Sequence, residues 1–435
     1  MKVLRKFVSA IVLVLFLSAA AFAQGLPVAD SPEEVGMSSE RLARLTSGLK
    51  AAVEKGTIPG AVGIIVRKGK VAYFEAIGFQ DRENKVPMAK ESIFRIYSMS
   101  KVFTSLAIMM LVEEGKIILA DPVSKFLPEF KDMKVGVKKK NRYADTKELV
   151  MVPPNRPMTI QDLLRHTSGL TYWFFGKPSL NKAQWKANVT FTYGQTLAEM
   201  VTKISKSPLC YQPGTTWDYS QSTDVLGRIV EVVSGVSFDK FIAERIAKPL
   251  KLTGSGFWVD GADQQKLIAE PQIDPVTKKK PSGIINVTKR PVWLSGGGGM
   301  VSTASDYARL CQFFLNGGIL DGVRLLSPKT VDLMTSNHLP ATIKYAPKLQ
   351  MQLGPMFPSP EVGNGFGLGF LVRIDPGMNP QPGSVGDYCW AGLFGTYFWV
   401  DPEEDLVAVL MTQSKSQRNY YRSYMRDMVY QAIID

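Results

Sequence analysis

Apolar residues recur at helical spacing after Ser38-Ser39: Leu42, Leu45, Leu49 and Val53 share one face, which predicts an amphipathic helix. The period then changes. The stretch "AVGIIVRKGKVAYFEAIG", Ala61 to Gly78, is rich in β-branched and aromatic residues on both sides of Lys68-Gly69, the pattern of two strands joined by a tight turn. Polar "YSMSK" then opens into the continuous apolar run "TSLAIMMLVEEG", which predicts a buried helix. From about Asp121 to Arg290 the periodic segments shorten, prolines multiply, and loops carry Lys and Asn. Strand signals return at Phe366 to Ile374, Phe394 to Val400 and Leu406 to Thr412, and a closing helix is expected from about Gln417 to Ile434.

Strands at both ends of the chain with helices between them predict an α/β (α+β) fold. An antiparallel sheet would be flanked by the N- and C-terminal helices and carry an inserted, mostly helical lobe. In residue terms the α/β lobe is expected at about 30–97 and 291–435, and the helical lobe at about 98–290. A ligand is expected in the cleft between them. Residues 1–23 stand apart: Lys2, Arg5 and Lys6 precede an apolar run, Phe7 to Ala20, and Ala21-Phe22-Ala23 is an A-x-A cleavage signal. That run falls short of the ~20 apolar residues a spanning helix needs. The expectation is a signal peptide and an exported protein, periplasmic or secreted, without stable membrane insertion.

Composition removes several classes of function. The formal charge of +13 is scattered, with small clusters at Lys138-Lys139-Lys140 and Lys278-Lys279-Lys280 that read as solvated loops. No basic helix or aromatic interleaving supports a nucleic-acid partner. Cys210, Cys311 and Cys389 are too few and too far apart for a disulfide framework, and the sequence does not choose a pair. The chain has 2 histidines, His166 and His338, too few for zinc or His-ligated iron chemistry, so no metal and no cofactor is expected. A Ser-His-Asp triad would need one of them and a G-x-S-x-G elbow, which this chain lacks.

A serine nucleophile would then need a lysine or tyrosine as its base. Four Ser-x-x-Lys matches occur, Ser47–Lys50, Ser98–Lys101, Ser179–Lys182 and Ser237–Lys240, so the motif alone decides nothing. Ser47 falls inside the first amphipathic helix, Ser179 in a polar loop, and Ser237 at the N-cap of "FDKFIAERI". Ser98 alone stands at the mouth of a long apolar helix, directly after strand-like "IFRIY". One helical turn separates it from Lys101 on the same face, and the helix N-terminus adds positive potential.

Four blocks in order, "SMSK" (Ser98 to Lys101), "PMTIQDLLRHTSGL" (Pro157 to Leu170), "PGTTWDYSQSTDVLGRIVEVVSG" (Pro213 to Gly235) and "SGGGGMVSTASDYARL" (Ser295 to Leu310), resemble the serine β-lactamase and penicillin-binding-protein-like superfamily. The nearest branch is the class C β-lactamase-related hydrolases that include family VIII carboxylesterases, with the β-lactamase/transpeptidase-like fold. The resemblance implies that Ser98 is the acylated nucleophile, Lys101 its proton-transfer partner and Tyr219 the second acid or base. It places Gln221 where the family's Tyr-x-Asn has asparagine. Trp390-Ala391-Gly392 replaces a Lys-Thr-Gly strand, as the tryptophan does in family VIII esterases. A lysine there pairs with a substrate carboxylate, a contact of ~1.5–3 kcal/mol, so tryptophan should disfavour such anions by about ten- to a hundredfold. The strand after Gly392 is expected to supply the Leu393 N–H, which with that of Ser98 makes the oxyanion hole.

Other positions carry blander expectations. Tyr172, with Trp173, Phe174 and Phe175, is an apolar wall for an acyl group or ordinary core. Gly296 to Gly299 is a tight backbone passage, His166 a structural residue of its turn, and Asp218 and Asp224 surface or helix-start residues. The function expected is hydrolysis of a small carboxylic ester through an acyl-enzyme. The alternatives are a D-amino-acid peptidase, a weak β-lactamase, an acyltransferase, or a non-catalytic envelope binding protein.

Overall fold

The computed structural model describes residues 25–140, 147–172, 180, 194–347 and 349–435. Residues 1–23, Trp173 to Phe175 and the Ser179–Lys182 match as a whole lie outside the described residues or only partly within them. Helix α1 (Ser39–Glu54) starts on the Ser38 hydroxyl, which accepts from the Arg41 N–H, and buries Leu42, Leu45, Leu49 and Val53. Strands β1 (Gly60–Arg67) and β2 (Lys70–Asp81) form the expected hairpin. Lys68 (φ 51°) and Gly69 (φ 73°) both take left-handed backbone in the two-residue turn, which matches the twist of the flanking strands. A two-residue edge strand, β3 (Val86–Pro87), follows.

Helix α2 (Ser100–Glu113) is buried from Ser100 through Leu111, which explains why its sequence is apolar on every side. The middle of the chain gathers short helices α3 (Ile160–Leu164), α4 (Leu197–Ser205), α5 (Ser222–Ser234) and α6 (Phe238–Ile242), with α5 packed against α2, α3, α4 and α6. Lys138 and Lys139 correct one expectation: they lie on a strand, Val135–Lys140, paired with Lys147–Val152, rather than in a loop.

Helix α7 (Ala304–Leu315) leads to the C-terminal strands β4 (Asn364–Phe366), β5 (Leu371–Arg373), β6 (Tyr388–Ala391), β7 (Tyr397–Asp401) and β8 (Leu406–Thr412), and the chain closes with α8 (Arg418–Tyr430). The sheet order is β4-β5-β6-β7-β8-β1-β2-β3. Its two halves join where β1 pairs antiparallel with β8, from Ala61↔Thr412 to Arg67↔Leu406. Every residue of β1 and β8 is buried, because α7 packs over β7, β8 and β1 while α1 and α8 pack together on β1, β2 and β8.

The C-terminal strands depart from the sequence expectation in two places. Phe366 to Ile374 is a hairpin, not one strand. Gly369 (φ 105°) sits in its turn, and a Cβ there would meet Ser105 Oγ at 2.3 Å. Phe394 to Thr396 form the turn between β6 and β7, so strand begins only at Tyr397. The three cysteines are free and buried.

Asp387, just before β6, takes Arg373 Nε at 2.7 Å and also pairs with Arg426 of α8, all three side chains almost wholly buried. This cluster ties the last helix to the strands carrying Trp390. Removing one partner from a buried cluster leaves an uncompensated charge. Asp387→Ala should therefore lower the unfolding free energy in urea by roughly 3–5 kcal/mol. Lys329→Ala, which breaks an exposed pair with Asp332, should cost less than about 1 kcal/mol.

Candidate active site

The short strand Phe94–Arg95 pairs with Val301–Ser302, which draws the glycine run 296–299 alongside the start of α2. Ser98 lies in a single 3-10 turn, Tyr97–Met99, and α2 begins two residues after it. Tyr97 takes a left-handed φ of 44°, a conformation that a bulky residue adopts only when its surroundings enforce it. Two contacts hold it: its ring stacks on Phe394 at 4.7 Å, and its hydroxyl donates to the Gly283 carbonyl at 3.2 Å.

Lys101, in the first turn of α2, is buried. Its Nζ donates to the Gly297 carbonyl at 2.6 Å and lies 3.4 Å from Ser98 Oγ and 3.3 Å from the Tyr172 hydroxyl. It also sits 4.7 Å above the Tyr219 ring centroid. Its hydrogen-bond partners among the described residues are thus uncharged oxygens.

The passage behind Gly297 requires glycine. A Cβ on Gly296 would meet the Thr223 carbonyl at 2.7 Å, and one on Gly297 would meet Asp224 Oδ2 at 2.8 Å. Asp224, in the first turn of α5, accepts from Ser295 Oγ at 2.6 Å and from the Gly297 N–H at 3.4 Å. Burial raises its pKa, opposed by the Ser295 hydroxyl and by Lys101. Asp218 and Asp224 are therefore not surface residues: both are buried, and Asp224 is a helix-start residue that braces the peptide gripping Lys101.

Tyr219 precedes α5 and packs among four rings of the described residues: His166 edge-on at 4.9 Å, Trp390 and Tyr172 tilted at 5.3 and 5.5 Å, and Trp217 stacked at 6.3 Å. Its hydroxyl accepts from Trp390 Nε1 at 3.3 Å. Tyr172 has its pKa pushed well above the ordinary value by burial, with the Tyr219 and Asp224 charges adding, so its hydroxyl stays protonated beside Lys101. Gln221, the residue before α5, is buried with its amide Nε2 unpartnered among the described residues.

Trp390 lies on β6, opposite Phe398 and edge-on to Phe366 at 5.4 Å. The strand ends at Ala391, so Gly392 and Leu393 belong to the turn after it, not to a strand following Gly392. A Cβ on Gly392 would meet Thr396 Oγ1 at 2.1 Å and the Ile96 carbonyl at 2.5 Å. That close approach and the Tyr97–Phe394 stack pack the turn after β6 against the segment Ile96-Tyr97, next to Ser98 in sequence. Among the described residues the Leu393 N–H makes no backbone hydrogen bond.

Neither histidine contacts Ser98. His166 holds Ser220 Oγ through Nδ1 at 3.3 Å; burial first, then Lys101, pushes its pKa well below the ordinary value. His338 donates from Nε2 to the Leu333 carbonyl at 2.7 Å, and its Nδ1 lies 3.0 Å from Gln161 Nε2.

Residues 42–427, most of the chain, match the Beta-lactamase family. The chain belongs to that family. An uncharacterized protein of Mycobacterium tuberculosis is 33% identical over 372 residues, covering 84% of this chain and 88% of the relative. Lovastatin esterase of Penicillium rubens is 30% identical, covering 83% and 90%, and Esterase EstB of Burkholderia gladioli is 28% identical, covering 86% and 90%. Among solved structures, EstCE1, a hydrolase with promiscuous acyltransferase activity, superposes with a TM-score of 0.73 at 27% identity, covering 90% of this chain and 99% of that one. Simvastatin synthase of Aspergillus terreus (TM-score 0.70, 21% identity, covering 90% and 98%) shares the fold. This protein is thus a serine hydrolase of the beta-lactamase family with a β-lactamase/transpeptidase-like fold.

Two contacts were not expected from the sequence: the Tyr172 hydroxyl on Lys101, and Asp224 behind Gly297. The only sequence signal for the second was the aspartate at a helix start facing a glycine run. The buried histidine yields a pH test. Unfolded His166 takes a proton near pH 6.5 and the folded residue resists it, so stability falls as pH drops below 6.5, by up to ~1.4 kcal/mol per pH unit. Between pH 7.5 and 5.5, wild type should lose about 1 kcal/mol more unfolding free energy than His166→Gln. Equal losses would contradict a neutral buried imidazole.

Proposed function

We propose that this protein is an exported hydrolase of small carboxylic esters, with Ser98 as nucleophile. The observation that carries this is Lys101 Nζ, buried, 3.4 Å from Ser98 Oγ and, among the described residues, hydrogen-bonded to uncharged oxygens. In acylation the Ser98 oxygen attacks the ester carbonyl, and its proton passes to Lys101 or Tyr219. The negative charge on the tetrahedral oxygen is met by the Ser98 and Leu393 N–H groups. The C–O bond to the alcohol breaks as the alcohol takes that proton. Water repeats the sequence on the acyl-enzyme and releases the acid.

Esters are favoured over anionic lactams by Trp390. Its indole N–H, already donated to Tyr219, is a neutral group where a lysine would attract a carboxylate. The Gln221 amide, buried beside Tyr219 with its Nε2 unpartnered among the described residues, is the group we assign to a substrate acceptor once the site is occupied, and Tyr172 lies beside Lys101. The esterase relatives support this substrate class. The basic and apolar pattern of residues 1–23 supports export to the periplasm or medium.

The test compares p-nitrophenyl butyrate, nitrocefin and a D-Ala-D-Ala peptide. Wild type should turn over the ester, and Ser98→Ala should lose at least about a thousandfold. Trp390→Lys should shift the ratio of nitrocefin to ester turnover upward by about tenfold or more. Undetectable ester turnover beside efficient cleavage of the lactam or peptide would overturn the assignment.

A further inference from the structure

We propose that Arg422 of α8 is a positioning residue for the oxyanion hole, holding and polarising the Gly392–Leu393 peptide through the Gly392 carbonyl. The inference rests on the assignment of Ser98 and Leu393 above. Arg422 Nη2 donates to the Gly392 carbonyl, which also accepts the Gly395 N–H at 3.2 Å. That carbonyl and the Leu393 N–H are the two ends of one amide. With no cis peptide among the described residues, they point in opposite directions. A cation on the oxygen therefore turns the N–H toward the other side and strengthens it as a donor, because hydrogen bonds in series polarise one another.

The charge of Arg422 is the second observation. Its other acceptor is a neutral amide, Asn419 Oδ1 at 3.4 Å, and its Nε is buried without a partner. Arg426, one turn further along α8, is also buried but pairs with Asp387. Among the described residues, the fold thus pairs one buried arginine with a carboxylate and gives its neighbour only neutral acceptors. Burial, with Arg418 beside it, pushes the Arg422 pKa down to about 9, opposed by Tyr397, Cys389 and Tyr219. A buried cation without a counter-charge is costly at rest. It becomes favourable when a negative charge develops nearby, as it would on the far side of this peptide.

The experiment uses Arg422→Met, which keeps bulk and removes charge, and Arg422→Lys, which keeps charge. Active sites are titrated with a fluorophosphonate; kcat and KM are measured on p-nitrophenyl butyrate, and Ki on phenylboronic acid. The boronate forms a tetrahedral serine adduct bearing the negative charge. For Arg422→Met, kcat per titrated site should fall about ten- to a hundredfold with KM little changed. The boronate Ki should rise by a similar factor, and Arg422→Lys should recover part of both. An Arg422→Met enzyme with wild-type kcat and Ki per titrated site, even at a lower melting temperature, would reduce Arg422 to a structural pin and overturn the inference. Should Arg422→Met fail to fold, Arg422→Lys decides: wild-type kcat and Ki support a role for charge, and a rise in KM alone overturns it. Wild type that reacts with neither reagent would instead sink the Ser98 assignment itself.

Discussion

The structure turns on one buried amine. Lys101 Nζ is buried, and among the described residues its place is fixed by the Gly297 carbonyl, the Tyr172 hydroxyl and the face of Tyr219. A buried polar group is costly unless the protein supplies its hydrogen bonds, and these oxygens supply them while holding the amine 3.4 Å from Ser98 Oγ. The glycine passage provides the close carbonyl, and Asp224 keeps that passage in place from the first turn of α5. The helical insertion is thereby tied to the start of α2, beside Ser98.

From the sheet side a different set of groups converges on the same serine. β6 brings Trp390 onto the Tyr219 hydroxyl, and the turn after it packs Gly392 against the Ile96 carbonyl. The strained Tyr97 is locked by the ring of Phe394, so the residue before Ser98 and the residue after Leu393 are tied by one aromatic stack. The last helix supports this turn through Arg422 and its own strands through Arg426. Around Tyr219 the site is neutral: the Trp390 indole N–H, not a charged group, reaches its hydroxyl.

Much of this was legible in the sequence where the signal is local. The period of Leu42, Leu45, Leu49 and Val53, and the turn at Lys68-Gly69, predict their elements because neighbours in sequence decide them. The pairing of β1 with β8 followed from strand signals at both ends of the chain. Short pieces escaped: Tyr388–Ala391 shows no alternation because all four residues are buried, and the glycines of Phe366 to Ile374 hid a reversal inside an apolar run. In the site, Ser98 and Lys101 were visible through spacing and the scarcity of histidine. The contacts of Tyr172, Asp224 and Arg422 were not, since their partners lie 71, 73 and 30 residues away in sequence and no motif encodes such a contact.

The central claim is that Ser98 carries the acyl group. The most direct measurement is acid quench of the enzyme during p-nitrophenyl butyrate turnover, followed by intact mass and peptide mapping. The account predicts a gain of one butyryl group, confined to the peptide containing Ser98 and absent from Ser98→Ala. A butyryl group on another residue, persisting in Ser98→Ala, would contradict it.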